Sequence, residues 1–222
     1  MIVHLVTDRR RLFPGGSSSD AGKCLLRQAR WAIAAGIDLI QIREREIEAN
    51  ELAELTAAIV RDSRQSRTRV VVNDRLDVAI AAGADGVHLP SWSLPVAAVR
   101  RLAPPGFIIG RSVHDVSEVE ASEGADYLMA GTMWPTSSKP TGHAVLGEAG
   151  LASLVRATAI PVIAIGGLTL ERAADVARTG ALGAAAIGLF IDRADVEGCG
   201  AVSLQACVSA LRQRFDTSGS RS

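Results

Sequence analysis

Aromatic side chains are scarce, at only 4% of the 222 residues. Any core must therefore be built from Ala, Val, Leu and Ile rather than from rings. Cysteine is scarcer: Cys24, Cys199 and Cys207 are odd in number and show no CxxC spacing. That argues against a disulfide framework or a zinc site and points to a reducing cytoplasm. An excess of one charge is also missing, since Lys plus Arg and Asp plus Glu number 24 each. The chain thus offers no bulk attraction to nucleic acid or to an anionic membrane surface, and any phosphate recognition must be local. No apolar run reaches the roughly 18 residues of a membrane span. The amino-terminal M-I-V-H-L-V-T-D is not a signal peptide either.

What is present is alternation. Short β-branched runs fall at Ile2–Val6, Leu39–Arg43, Arg69–Asn73, Gly86–Leu89, Phe107–Gly110, Tyr127–Gly131, Val162–Ile165 and Ala184–Gly188. Stretches of helical period lie between and after them, near 20–35, 49–64, 76–82, 95–103, 115–123, 147–157, 169–179 and 195–214. Eight strands, each followed by a helix, predict parallel βαβ units. A weak repeat supports the count: A-A-G-I-D-L (34–39), A-A-G-A-D-G (81–86), S-E-G-A-D-Y (122–127) and R-T-G-A-L-G (178–183). Each places glycine where a helix ends in the left-handed conformation, just before an even-numbered strand. A doubly wound sheet would carry a Gly-rich turn after its first strand, but V-T-D-R-R follows instead. The expected fold is a closed (β/α)8 barrel over residues 1–214, with a disordered tail at 215–222.

In such a barrel the chemistry sits at the carboxyl ends of the strands. Strand 7 breaks into Gly166-Gly167 and strand 8 into Ile187-Gly188. Backbone N–H groups at such turns form an anion cradle, although the same glycines also suit plain tight turns. The loop G-T-M-W-P-T-S-S-K-P-T-G-H (131–143) is long and hydroxyl-rich, and Thr136, Ser138 and Lys139 could donate to phosphate oxygens. In Q-I-R-E-R (41–45), the period of two puts Gln41, Arg43 and Arg45 on one side, with Ile42 and Glu44 toward the helices. An inward guanidinium needs an anion, which could be a ligand or Asp8 or Asp74. Asn73, Ser112 and Asp74 also lie at strand ends; Asp74 could ligate Mg²⁺, hold Arg43 or cap a helix. His114, in F-I-I-G-R-S-V-H-D, suits proton transfer near neutral pH, and a loop or capping role fits its spacing equally. His88 and His143 are weaker candidates, and His4 lies within a strand, where a core role is expected.

Several of these segments together resemble the thiamine phosphate synthase/TenI superfamily: V-T-D (6–8), Q-I-R-E-R (41–45), V-N-D-R-L-D (72–77), G-A-D-G-V-H-L (83–89), G-R-S-V-H (110–114), W-P-T-S-S-K (134–139) and A-I-G-G (164–167). The resemblance implies a barrel that handles a thiazole phosphate as its small-molecule partner, and relatives are often homo-oligomers. One branch joins a pyrimidine diphosphate to thiazole phosphate with Mg²⁺. It looks for lysine where this chain has Arg45, and for a second acidic metal ligand where it has Ser93. Arg45 is not equivalent to a lysine, because its fork is larger and planar. The other branch aromatises a carboxythiazole phosphate without a cofactor, and I-R-E-R, L-P-S-x-S and G-R-S-V-H are similar to it. The expectation is therefore a thiazole tautomerase with His114 as general acid/base. Gln41, Arg43, Arg45, Asn73 and Ser112 would bind the substrate. Thr136, Ser138, Lys139, Gly166, Gly167, Ile187 and Gly188 would hold its phosphate. The alternatives are an Mg²⁺-dependent synthase using Asp74 and a non-catalytic thiazole phosphate binder.

Overall fold

A computed structural model describes the chain apart from residues 16, 137–141, 143, 192–199 and 220–222, and apart from the side chains of 200–202 and 218–219. Its elements run β1 (Ile2–Val6), α1 (Arg9–Leu12), α2 (Ser18–Ala34), β2 (Leu39–Ile42), α3 (Ala49–Ser63), β3 (Arg69–Asn73), α4 (Leu76–Ala81), β4 (Gly86–Leu89) and α5 (Val96–Leu102). Then come β5 (Ile108–Val113), two 3₁₀ turns (Val116–Glu118 and Glu120–Ser122), β6 (Tyr127–Gly131), α6 (Gly147–Arg156), β7 (Val162–Ile165), α7 (Ala173–Arg178), β8 (Gly183–Ala186), α8 (Gly188–Ile191) and α9 (Gly200–Gly219). The strands are parallel and close in sequence order, β8 pairing with β1. This is the expected (β/α)8 barrel.

Three details differ from the expectation. The helix expected at 115–123 is two 3₁₀ turns, because Asp115 accepts from the Ser117 backbone N–H and hydroxyl and turns the chain tightly instead of starting an α-helix. Strand β5 runs on to Val113, so Arg111 and Ser112 are strand residues rather than loop residues. The last helix runs to Gly219, so residues 215–219 of the expected disordered tail are helical. Phe215 is buried there, and Arg212 binds the Met1 carbonyl and Asp38.

The glycine repeat has a double cause. Gly36, Gly83, Gly124 and Gly180 all take positive φ, between 67° and 83°. In three of the copies the aspartate two residues on turns back to the neighbouring odd strand. Asp38 accepts from the Val3 N–H, Asp85 from Val70 and Asp126 from Ile109, at 2.7–2.8 Å. The fourth copy has Leu182 at that position and makes no such bond. Each G-x-D turn thus ends a helix and pins the amino end of a strand pair at the bottom of the barrel.

Period-two alternation divides the strands between two cores. Val3, Leu5, Ile40, Val70, Val72, Val87, Ile109 and Leu128 face the helices. Val6, Leu39, Val71, Tyr127, Met129, Ile163 and Ala185 fill the barrel interior. The same alternation delivers Gln41, Asn73, His88 and Ser112 to the upper end, where they line a cavity of about 440 Å³.

Candidate active site

The β1 and β2 ends are tied by one buried carboxylate. Glu44 faces away from the cavity, as the alternation requires, and accepts from the Thr7 hydroxyl at 2.5 Å and the Arg9 backbone N–H at 3.1 Å. Thr7 in turn accepts from the Arg43 N–H at 3.0 Å. Burial raises the Glu44 pKa. Arg9 is pinned by Glu46 and Glu51 at 2.8 and 3.0 Å. This frame turns Arg43 and Arg45 to the cavity. The half-buried Arg43 guanidinium makes no hydrogen bond or ion pair among the described residues. Desolvation, then the neighbouring Arg45 charge, lowers its pKa. An anion arriving here would relieve both effects.

Gln41 and Asn73 form the cavity wall next to Arg43. Gln41 Nε2 donates to Asn73 Oδ1 at 3.0 Å, while Gln41 Oε1 is buried without a partner. A donor on a ligand would satisfy it. Asp74 lies just outside the lining residues, with its backbone at φ 64°. Its Oδ1 accepts from Ser93 Oγ at 2.5 Å. Arg111, pointing outward from β5, clamps the Ser93 loop through the Ser91 and Leu94 carbonyls at 2.6 and 2.8 Å.

Deeper in the barrel, His88 is almost fully buried between two hydroxyls. Its Nδ1 is 3.0 Å from the Tyr127 Oη, and its Nε2 is 2.8 Å from the Ser112 Oγ. Burial, then Arg111 and Arg43, pushes the His88 pKa down to about 3. The weaker candidate of the sequence thus occupies the cavity floor. His114 also lines the cavity, but at its half-exposed rim, where Nδ1 meets the Glu118 carboxylate at 3.1 Å. His4 is fully buried inside the barrel, as expected, with its ring edge toward Tyr127.

Across the mouth, Gly166 and Gly167 take φ of 105° and 69°. A Cβ on Gly166 would lie 2.6 Å from Thr132 Cγ2, and one on Gly167 would lie 2.8 Å from Trp134 Cβ. These glycines therefore serve close approach of the β6 loop as well as lining the cavity. Thr136, Ile187 and Gly188 line it beside them, while Ser138 and Lys139 lie outside the described residues. Two cationic residues not singled out from the sequence complete this end. Arg11 reaches Gly188, and Arg172 stacks over Trp134 at 4.9 Å while donating to the Gly167 carbonyl at 2.5 Å. Arg11 follows the V-T-D landmark by three residues, and Arg172 sits in the turn after the glycines. That proximity was the only signal for them.

A family model described as thiamine monophosphate synthase (TMP-TENI) matches residues 11–190. The chain belongs to that family. Thiamine-phosphate synthases of Methanoculleus marisnigri and Coprothermobacter proteolyticus are 41% and 40% identical to it, covering 83% and 80% of this chain and 88% and 84% of their own. A structure of thiamine phosphate pyrophosphorylase from Pyrococcus furiosus superposes with a TM-score of 0.79 at 32% identity, covering 98% of this chain and 96% of the other. These findings overturn the expected tautomerase: the relatives bear the name of a transferase, not an isomerase. The reliance on Ser93, Arg45 and G-R-S-V-H was misplaced. Those are single positions, while the likeness to synthases extends over most of the chain.

Proposed function

We propose that this family member joins a pyrimidine diphosphate to a thiazole phosphate and releases diphosphate, the reaction that the resemblance implies for the synthase branch and that fits its relatives' names, thiamine-phosphate synthase. One observation carries the reading beyond those names: the cavity has two cationic ends. Arg43 and Arg45 rise from β2 beside Asn73, and Arg11 and Arg172 flank the glycine turns of β7 and β8. A pyrimidine diphosphate and a thiazole phosphate each bring one anionic group, and the two ends can take one apiece. The relatives' synthase names favour this pair over a single carboxythiazole phosphate, whose two anions the same ends would also accept.

In this reading the glycine turns with Thr136, Ser138, Lys139, Ile187, Arg11 and Arg172 hold the thiazole phosphate. Arg43 and Arg45 draw the diphosphate, and Gln41, Asn73 and Ser112 orient the pyrimidine. The thiazole ring nitrogen supplies the electron pair of a new bond to the pyrimidine's exocyclic carbon. The carbon–oxygen bond breaks, and its pair leaves with the diphosphate. No proton need move, so His114, moored to Glu118, orients the β5 loop rather than carrying protons. Arg43 binds the leaving group through a charge that is otherwise unpaired among the described residues.

Asp74 and Ser93 fit magnesium in its sparest protein form. One carboxylate and one hydroxyl lie within 2.5 Å of each other, and Asp74 Oδ2 keeps no hydrogen bond among the described residues. No cluster of three acidic, His or Cys ligands stands among those residues. Such a set suits an ion that takes its remaining ligands from water and diphosphate oxygens. When bound, magnesium neutralises charge on the leaving diphosphate. No described helix is long and apolar enough to cross a membrane. The free Cys24 thiol supports reading the enzyme as one of a reducing cytoplasm, and the family resemblance supports a homo-oligomer. Incubation with both substrates and Mg²⁺ should release inorganic diphosphate and form thiamine phosphate. Binding of both substrates without either product would overturn the proposal.

A further inference from the structure

Tyr127 is the only tyrosine in the chain and is buried at the centre of the barrel. Its ring occupies space left open by Gly110, where a Cβ would lie 2.1 Å from Tyr127 Cζ. Packed there, the phenol reaches one polar atom among the described residues, His88 Nδ1 at 3.0 Å. His4 lies beside the same ring, but neither of its ring nitrogens has a hydrogen-bond partner. A phenol is both donor and acceptor, and its buried O–H needs an acceptor. His88 Nδ1 is the acceptor on offer, so it must be the unprotonated ring nitrogen.

The polarity then propagates. A neutral imidazole with bare Nδ1 carries its proton on Nε2, which must donate to the Ser112 Oγ at 2.8 Å. Ser112 makes no other side-chain hydrogen bond among the described residues and lines the cavity. Having accepted from His88, its own O–H points elsewhere. We infer that Tyr127 and His88 are positioning residues that fix Ser112 as a one-way hydrogen-bond donor into the cavity, selecting an acceptor atom on the substrate. The opposite relay, with Nδ1–H donating to Tyr127 and Ser112 donating to Nε2, would strand the buried phenol proton. The charged and titratable groups around His88 support the neutral ring. Arg111 on β5 and Arg43 on β2 oppose a positive charge on it, His4 on β1 is itself held neutral by burial, and no described carboxylate bonds to it.

The tautomer does not depend on the proposed reaction, whereas the consequence for substrate binding rests on it. The two can therefore fail separately. The chain has four histidines, few enough to resolve by ¹⁵N-histidine NMR on the full-length protein, with His88 assigned by its loss in His88→Gln. At pH 7 the wild type should show His88 as the neutral Nε2–H tautomer. Tyr127→Phe removes the donor to Nδ1 and should move the Nδ1 resonance toward that of a bare ring nitrogen that accepts no hydrogen bond, because the phenylalanine offers no acceptor for an Nδ1–H. Ser112→Ala keeps that donor and should leave Nε2–H in place. A wild-type Nδ1–H tautomer, a cationic ring at pH 7, a switch to Nδ1–H in Ser112→Ala, or an Nδ1 resonance that Tyr127→Phe leaves unmoved would overturn the inference. Should Tyr127→Phe not fold, the wild-type and Ser112→Ala spectra still decide it. In the coupling assay Ser112→Ala should raise KM about fivefold or more, the scale of one lost hydrogen bond. An unchanged KM would refute the donor role while leaving the tautomer result intact.

Discussion

Acidification from pH 7 to pH 5 should destabilise the folded chain, with His88 accounting for about 2 kcal/mol of the loss. The ring is enclosed by the barrel and held at a pKa of about 3, against the ordinary 6.5, by burial and then by Arg111 and Arg43. Between those two values the unfolded imidazole is protonated while the folded one is not. The unfolded state then binds more protons, so stability falls as pH falls; above 6.5 both forms are neutral and the contribution is flat. Each pH unit in the window is worth about 1.4 kcal/mol, so the step from 6.5 to 5 amounts to about 2 kcal/mol. His4 is pushed down by burial and then by His88, and adds a loss of the same sign. Glu44 acts in the opposite sense: burial raises its pKa, so the folded state takes up that proton more readily and gains from acid. The carboxyls held low by hydrogen bonds, such as Asp77 beside Arg75, lose their contribution only below the usual carboxylate range and so outside this interval. Urea unfolding at pH 7 and pH 5 is the assay, on the wild type and His88→Gln. The variant should lose about 2 kcal/mol less between the two pH values. Equal losses would refute the assignment of the acid sensitivity to this ring.

Glu44→Ala strands the Thr7 hydroxyl and the Arg9 N–H, both buried, and should cost about 3 kcal/mol in urea unfolding; a loss below 1 kcal/mol would show that the loop re-pairs. Gly167→Ala forces a side chain onto positive φ and a Cβ to 2.8 Å from Trp134, so thermal stability should drop by about 1–3 kcal/mol, and an unchanged Tm would contradict it. Arg43→Met removes a half-buried charge that Arg45 opposes. It should leave stability unchanged or raise it by up to ~1 kcal/mol, while the KM of the diphosphate-bearing substrate rises at least tenfold. A destabilised Arg43→Met would mean that the guanidinium has a structural partner after all.

The barrel was readable because its signals repeat. Alternation in β1 to β8 and the G-x-D turns each state the same periodicity several times, so one departure, such as Leu182 in the fourth turn, does no harm. The cavity was readable to the extent that it is built from strand ends: Gln41, Arg43, Asn73 and Ser112 follow from counting by two along a strand. What escaped depends on distances between strands. Nothing local to G-A-D-Y marks Tyr127 as the partner of His88, because the two are 39 residues apart and meet only when β4 and β6 flank β5. Gly110 looked like the end of a strand, whereas it is the opening that lets the tyrosine ring in. His114 stands out for its chemistry and its landmark motif, yet the histidine enclosed at the cavity floor is His88, which the sequence offers only as a weaker candidate. The choice of branch failed for a related reason. Ser93 was weighed as a lost carboxylate, but in the structure its hydroxyl sits on Asp74 and is held there by Arg111 acting on the loop backbone. A single substitution at the position where the resemblance looks for a second acidic metal ligand changes which oxygens are offered. It does not alter the two-ended cavity, which suits a phosphate at one end and a second anion at the other. The length of chain shared with synthases, not the number of anion sites, is what tells coupling from rearrangement.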